Sequence, residues 1–105
     1  MKSSSLTSAK HVVRAGSGIG ASLLRRAVLR QLKQLRHGQL VIIEGDERME
    51  FGDAHSSLCA EIQVQDGAVW GLVAGNGSIG AGEAYIHGYW RTPDLTAVVR
   101  VFVSN

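Results

Sequence analysis

The chain has 105 residues, of which 45% are apolar and 19% charged, with one cysteine and four histidines. This composition predicts one folded domain burying roughly 60–70% of its unfolded surface. It excludes a largely disordered chain and leaves Cys59 without an internal disulfide partner, which suits a reducing compartment.

The net charge of +2 is unevenly divided: residues 1–38 hold eight Lys or Arg and no acid, a local +8, whereas residues 39–105 hold three Arg against nine acids, a local −6. A first third so basic attracts phosphate, either on anionic lipid or on nucleic acid. Residues 1–18, rich in Ser and Gly, read as a flexible basic arm. They lack the apolar core of a secretory signal, and no window approaches the roughly 20 apolar residues of a membrane span. The expected location is cytoplasmic, peripheral to the inner face of a membrane.

From Ile19 to Arg36 the sequence IGASLLRRAVLRQLKQLR places Leu24, Val28, Leu32 and Leu35 at helical spacing, with Arg25, Arg26, Arg30, Lys33 and Arg36 as membrane- or phosphate-contacting candidates. His37-Gly38 reads as the end of this amphipathic helix. QLVIIEGDERMEFG predicts a hairpin turning at Gly45-Asp46. SLCAEIQVQ predicts a third strand with Leu58, Ala60, Ile62 and Val64 on one face and Cys59 as a partly covered packing residue. Asp66 reads as the cap of a short helix ending at Gly75. GAGEAYIHG holds two further helical turns, Tyr89-Trp90 a short aromatic strand, and TPDLTAVVRVFVSN a final helix with Thr92 as N-cap and Pro93 at its first position. These elements compose an α+β domain over 19–105, with a mostly antiparallel, curved sheet of about four to five strands and packed helices.

Gly75-Asn76-Gly77-Ser78-Ile79-Gly80 matches the G-x-G-x-x-G pattern of dinucleotide sites. Those glycines must follow a strand and open a helix. Here they follow a predicted helix, so the pattern is read as structural, with Gly77, Gly80, Gly82 and Gly88 permitting positive φ or close packing. His11, His37, His55 and His87 show no metal-ligand spacing, and no catalytic triad or carboxylate pair can be argued. The sequence predicts no catalytic residue, no metal and no cofactor in this chain.

GSIGAGEAYIHGYWRTPDLTAVVRVFVSN, with LRHGQLVIIEGDERMEFG upstream, resembles the N-terminal domain of the cyclopropane-fatty-acyl-phospholipid synthase family of lipid methyltransferases. The similarity spans roughly residues 22–105, and the run at 77–85 is its most specific part. The family continues with Met-Asp-Gly-Trp-Trp where this chain has Ile86-His87-Gly88-Tyr89-Trp90. The resemblance implies the non-catalytic, lipid-handling part of such an enzyme, with S-adenosylmethionine bound only by a following catalytic domain. The order of elements is also similar to sterol-carrier-like domains that enclose an acyl chain, an analogy of fold alone.

Glu83, isolated in the otherwise uncharged stretch 67–86, is expected to be partly buried, either accepting backbone N–H groups of the 77–82 turn or meeting a lipid or domain interface. Trp70, Tyr85, Tyr89 and Trp90 are candidates for an aromatic lining, with core packing as the plainer reading. The expected partners are an anionic phospholipid surface, an acyl chain, a methyltransferase domain or a second copy. The expected function is non-catalytic phospholipid or acyl-chain binding. The alternatives are a structural interdomain or dimerisation module and a basic nucleic-acid-binding module, the last disfavoured because no helix-turn-helix, zinc or aromatic-basic strand pattern is present.

Overall fold

The computed structural model describes residues 19–105, and the basic arm at 1–18 lies outside the described residues. Within that range the order is α1 (Ile19–Leu32), β1 (Gln39–Glu44), β2 (Glu47–Gly52), β3 (Cys59–Val64), α2 (Ala68–Ile86), β4 (Trp90–Arg91) and α3 (Leu95–Val103). The architecture is α+β: one open four-stranded sheet, ordered β2-β1-β3-β4, with helices packed on it.

β1 and β2 form the predicted hairpin, with Leu40 opposite Phe51 and Ile42 opposite Met49. Its two-residue turn works because Gly45 takes φ 60°, a conformation that costs glycine little. β3 lies on the other side of β1 and runs parallel to it, Leu40 beside Ala60 and Ile42 beside Ile62. The sheet is thus mixed, antiparallel in two of its three pairings and parallel in the β1–β3 pairing. Parallel neighbours ordinarily need a long crossover. Here β2 itself returns the chain to the start of β1, so residues 53–58 suffice to set β3 alongside. β4 completes the far edge, antiparallel to β3.

These registers gather Leu40, Ile42, Met49, Phe51, Ala60 and Ile62 on one face of the sheet. Onto that face pack Val28 of α1, Val69, Trp70 and Ala84 of α2, and Ala97, Val98 and Val101 of α3. Leu40 and Val101 are fully buried at its centre. The opposite face carries Gln39, Val41, Ile43, Cys59, Glu61 and Gln63.

Three boundaries differ from the sequence reading, each for a local reason. α1 ends at Leu32, not Arg36, as the chain tightens through Gln34 N–H to Gln31 O (3.0 Å) and Leu35 N–H to Leu32 O (3.1 Å). Gly38 leads directly into β1: it has φ 79°, and a Cβ on Gly52 opposite would overlap its carbonyl oxygen. α3 is capped by Asp94, whose carboxylate accepts from Ala97 N–H at 3.1 Å. Thr92 instead accepts from Asp94 N–H, and Pro93 precedes the cap.

The helix begun beyond Asp66 does not end at Gly75. The Asp66 carboxylate accepts from Ala68 N–H at 2.9 Å, and α2 continues to Ile86, interrupted only at Gly77 (φ 56°, ψ −129°). That break folds the second half sharply against the first. A Cβ on Gly80 would overlap the carbonyl oxygen of Leu72, eight residues earlier, where a straight helix would separate the two by about 12 Å.

Candidate functional site

The glycine motif provides no strand-to-helix phosphate cradle, because residues 75–80 lie within the kinked α2. Two of its glycines have evident backbone tasks, the positive φ of Gly77 and the close approach at Gly80. Gly88 likewise has φ 77° in the turn before β4, whereas Gly82 lies in ordinary helical backbone with open space where a Cβ would stand.

The basic residues of α1 divide into two groups. Arg25 faces the hairpin and is committed internally: its Nε donates to Glu44 Oε1 at 2.8 Å and its Nη2 to Glu47 Oε1 at 2.9 Å. Its guanidinium also lies 5.5 Å from the centre of the Trp70 ring, whose Nε1–H donates to the second Glu44 oxygen at 3.2 Å. Arg25 therefore clasps α1, the hairpin and α2 together, which sets it apart from the other membrane-contacting candidates. Glu44 and Glu47 were not singled out in sequence because they read as hairpin polar residues.

Arg26, Arg30 and Lys33 follow one another at i, i+4 and i+7, which aligns them along one side of the helix. Their side chains form no hydrogen bond or ion pair with another described residue. With Leu29, they border an open groove of about 520 Å³ against Met49 and Phe51 on the edge strand β2. The floor is apolar and the α1 side cationic. The one acid on its border, Glu50, is shared with Arg48 (3.0 Å) and Gln39 (3.2 Å). Leu23 stands 58% exposed one turn before Arg26. Arg36 lies past the helix; its backbone N–H and that of His37 donate to the Asn105 side chain at 2.7 and 3.0 Å. The groove floor was missed in sequence because the hairpin register, which turns Met49 and Phe51 toward α1, joins residues far apart along the chain.

The aromatic candidates do not form one lining. Trp70 and Trp90 are core residues, the latter donating its Nε1–H to Ala81 O at 2.9 Å. Tyr85 packs on Trp90 with ring centres 4.9 Å apart and is 39% exposed, while Tyr89 is half-buried and stacks with His87. Glu83 is exposed rather than partly buried; its backbone carbonyl accepts from His87 N–H at 3.0 Å, and its carboxylate has no partner among the described residues. Cys59 is exposed too, since the alternation that turns Leu58 and Ala60 inward turns it outward toward Gln39. Among the described residues no three His, Cys, Asp or Glu are grouped to hold a metal ion, and no helix is long and apolar enough to cross a membrane.

Comparisons of the chain with protein-family models, curated proteins and solved structures found no match.

Proposed function

We propose that this is a non-catalytic, peripheral lipid-binding domain that meets an anionic phospholipid surface through the outer side of α1. One observation carries the reading: the side chains of Arg26, Arg30 and Lys33 stand unpaired among the described residues on the same side of the helix as exposed Leu23, while the neighbouring Arg25 is engaged by the Glu44 and Glu47 carboxylates. A helix with cations and an exposed leucine on one side suits the headgroup boundary, where each cation near an anionic surface contributes about 1 kcal/mol. The resemblance to the N-terminal domain of cyclopropane-fatty-acyl-phospholipid synthases supports the same class of ligand. It extends the proposal to a role beside a methyltransferase domain that would itself bind S-adenosylmethionine.

The test is co-sedimentation of the full chain with phosphatidylglycerol vesicles and with phosphatidylcholine vesicles. Preferential binding to the anionic vesicles, weakened by Arg26, Arg30 and Lys33 changed together to Gln, is the expected result. Binding that ignores both vesicle charge and these substitutions rejects the proposal.

A second reading, a structural interdomain or dimerisation module, is favoured by a different feature. Leu95, Val99, Phe102 and Val103 form an apolar stripe on α3 that no other described element covers, with Val103 79% exposed. Light scattering across a concentration series distinguishes it, since a self-association module gains mass with concentration in the absence of lipid.

A further inference from the structure

We propose that the groove between α1 and the edge strand β2 seats a single-chain amphiphile with an anionic head, a ligand class narrower than the bilayer surface. The inference rests on the lipid-binding reading above. Leu29, Met49 and Phe51 supply a hydrocarbon floor, and Arg26, Arg30 and Lys33 supply cations along one side. A bare inorganic anion would use the cations and leave the floor idle. A neutral chain would use the floor and leave three cations without a counter-charge. Only a ligand carrying both parts complements both.

The volume agrees with one chain. About 520 Å³ lies within the range of small-molecule sites and is shared between head and tail. Because the groove opens to solvent, a chain seated there is only partly desolvated, so its length contributes less than the about fourfold in affinity per fully buried methylene that hydrocarbon transfer implies. Glu50 does not cancel the field, being already bonded to Arg48 and Gln39.

The experiment is calorimetric titration of the full chain with dodecyl phosphate below its aggregation threshold, alongside butyl phosphate, inorganic phosphate and dodecyl maltoside. Saturable one-to-one binding of dodecyl phosphate is expected, on the order of a hundredfold tighter than butyl phosphate if about half the added chain is desolvated. The variant R26Q/R30Q/K33Q should lose about tenfold or more in affinity for dodecyl phosphate. Its binding of dodecyl maltoside, weak at the outset, should be unchanged, and a thermal melt confirms that it folds. A second variant, Met49→Gln, should reduce the preference for dodecyl over butyl phosphate while leaving phosphate binding unaltered.

Equal affinity for dodecyl phosphate and inorganic phosphate overturns the proposal, as does dodecyl phosphate binding that survives the triple substitution. The vesicle assay separates the two readings. Binding to phosphatidylglycerol vesicles without binding of dodecyl phosphate removes the groove and leaves the surface reading standing, whereas binding to neither removes both.

Discussion

Four alanine substitutions in and beside the glycine motif should give opposite signs, and the structure says which. Gly77 has φ 56° and ψ −129°, outside the left-handed helical well that side-chain-bearing residues occasionally occupy, so Gly77→Ala should cost about 1–3 kcal/mol. Gly80→Ala places a methyl group onto the Leu72 carbonyl, a backbone atom that cannot rotate away. Opening the kink to relieve it should cost about 3 kcal/mol, the upper part of the overpacking range. Gly75 and Gly82 are helical, exposed and have nothing within 4 Å of the added Cβ. Alanine there removes unfolded-chain entropy and should stabilise by about 0.4–1 kcal/mol each. For a domain this size each kcal/mol shifts Tm by about 4–8 °C, so circular-dichroism melts should spread the four variants over roughly 15–30 °C. If Gly75→Ala and Gly80→Ala move Tm in the same direction by similar amounts, the argument that the motif serves a helical fold-back is wrong.

Other expectations concern single contacts. Arg25→Lys should lower stability by about 1 kcal/mol or more, because an ammonium cannot span Glu44 and Glu47 as the guanidinium does; a urea titration of both forms measures it. Asp94→Ala should cost about 0.5–2 kcal/mol and more than Thr92→Ala, read by the same titration, since only Asp94 caps α3. Trp90→Phe should cost about 1–3 kcal/mol through loss of the donor to Ala81 O, measurable by thermal melt. Cys59 should react stoichiometrically with a thiol reagent in the native protein at a rate near that of the denatured chain, because its side chain is exposed.

Local chemistry was legible where a residue's role is decided within a few positions. The Gly45-Asp46 turn, the inward set Ala60, Ile62 and Val64, and the helical character of Leu24 through Leu32 followed from spacing alone. What failed depended on distant residues. Periodicity alone extended α1 to Arg36; the chain leaves the helix earlier, and Gly38 fits against Val101 and the β2 terminus at Gly52. Gly75 looked like a helix end because glycine usually is one, but the break falls two residues later, at the position whose ψ only glycine tolerates. The five cations between Arg25 and Arg36 are alike in sequence. Only the hairpin, by placing Glu44 and Glu47 beside Arg25, separates the one that holds the fold from those that face outward. On α3 apolar residues occur nearly all round, and only the sheet decides that Ala97, Val98 and Val101 are buried while Leu95, Val99 and Phe102 stay exposed.

The return strand β2 also decides where this chain tolerates change. It meets β1 at two ends of opposite character: an outer turn at Gly45-Asp46, and an inner end where Gly52 lies against Gly38 and Asp53 N–H donates to the Gly38 carbonyl at 2.9 Å. Paired residues added at the outer turn would lengthen the hairpin away from the body and leave β3 in register with β1. A single residue added within 53–58 would push β3 by one position, exchange its inward and outward side chains, and set Cys59 and Glu61 against Leu40 and Ile42. The hairpin tip is thus the place to graft a loop or label, and the short link beneath it is the place where even a one-residue insertion is expected to unmake the core.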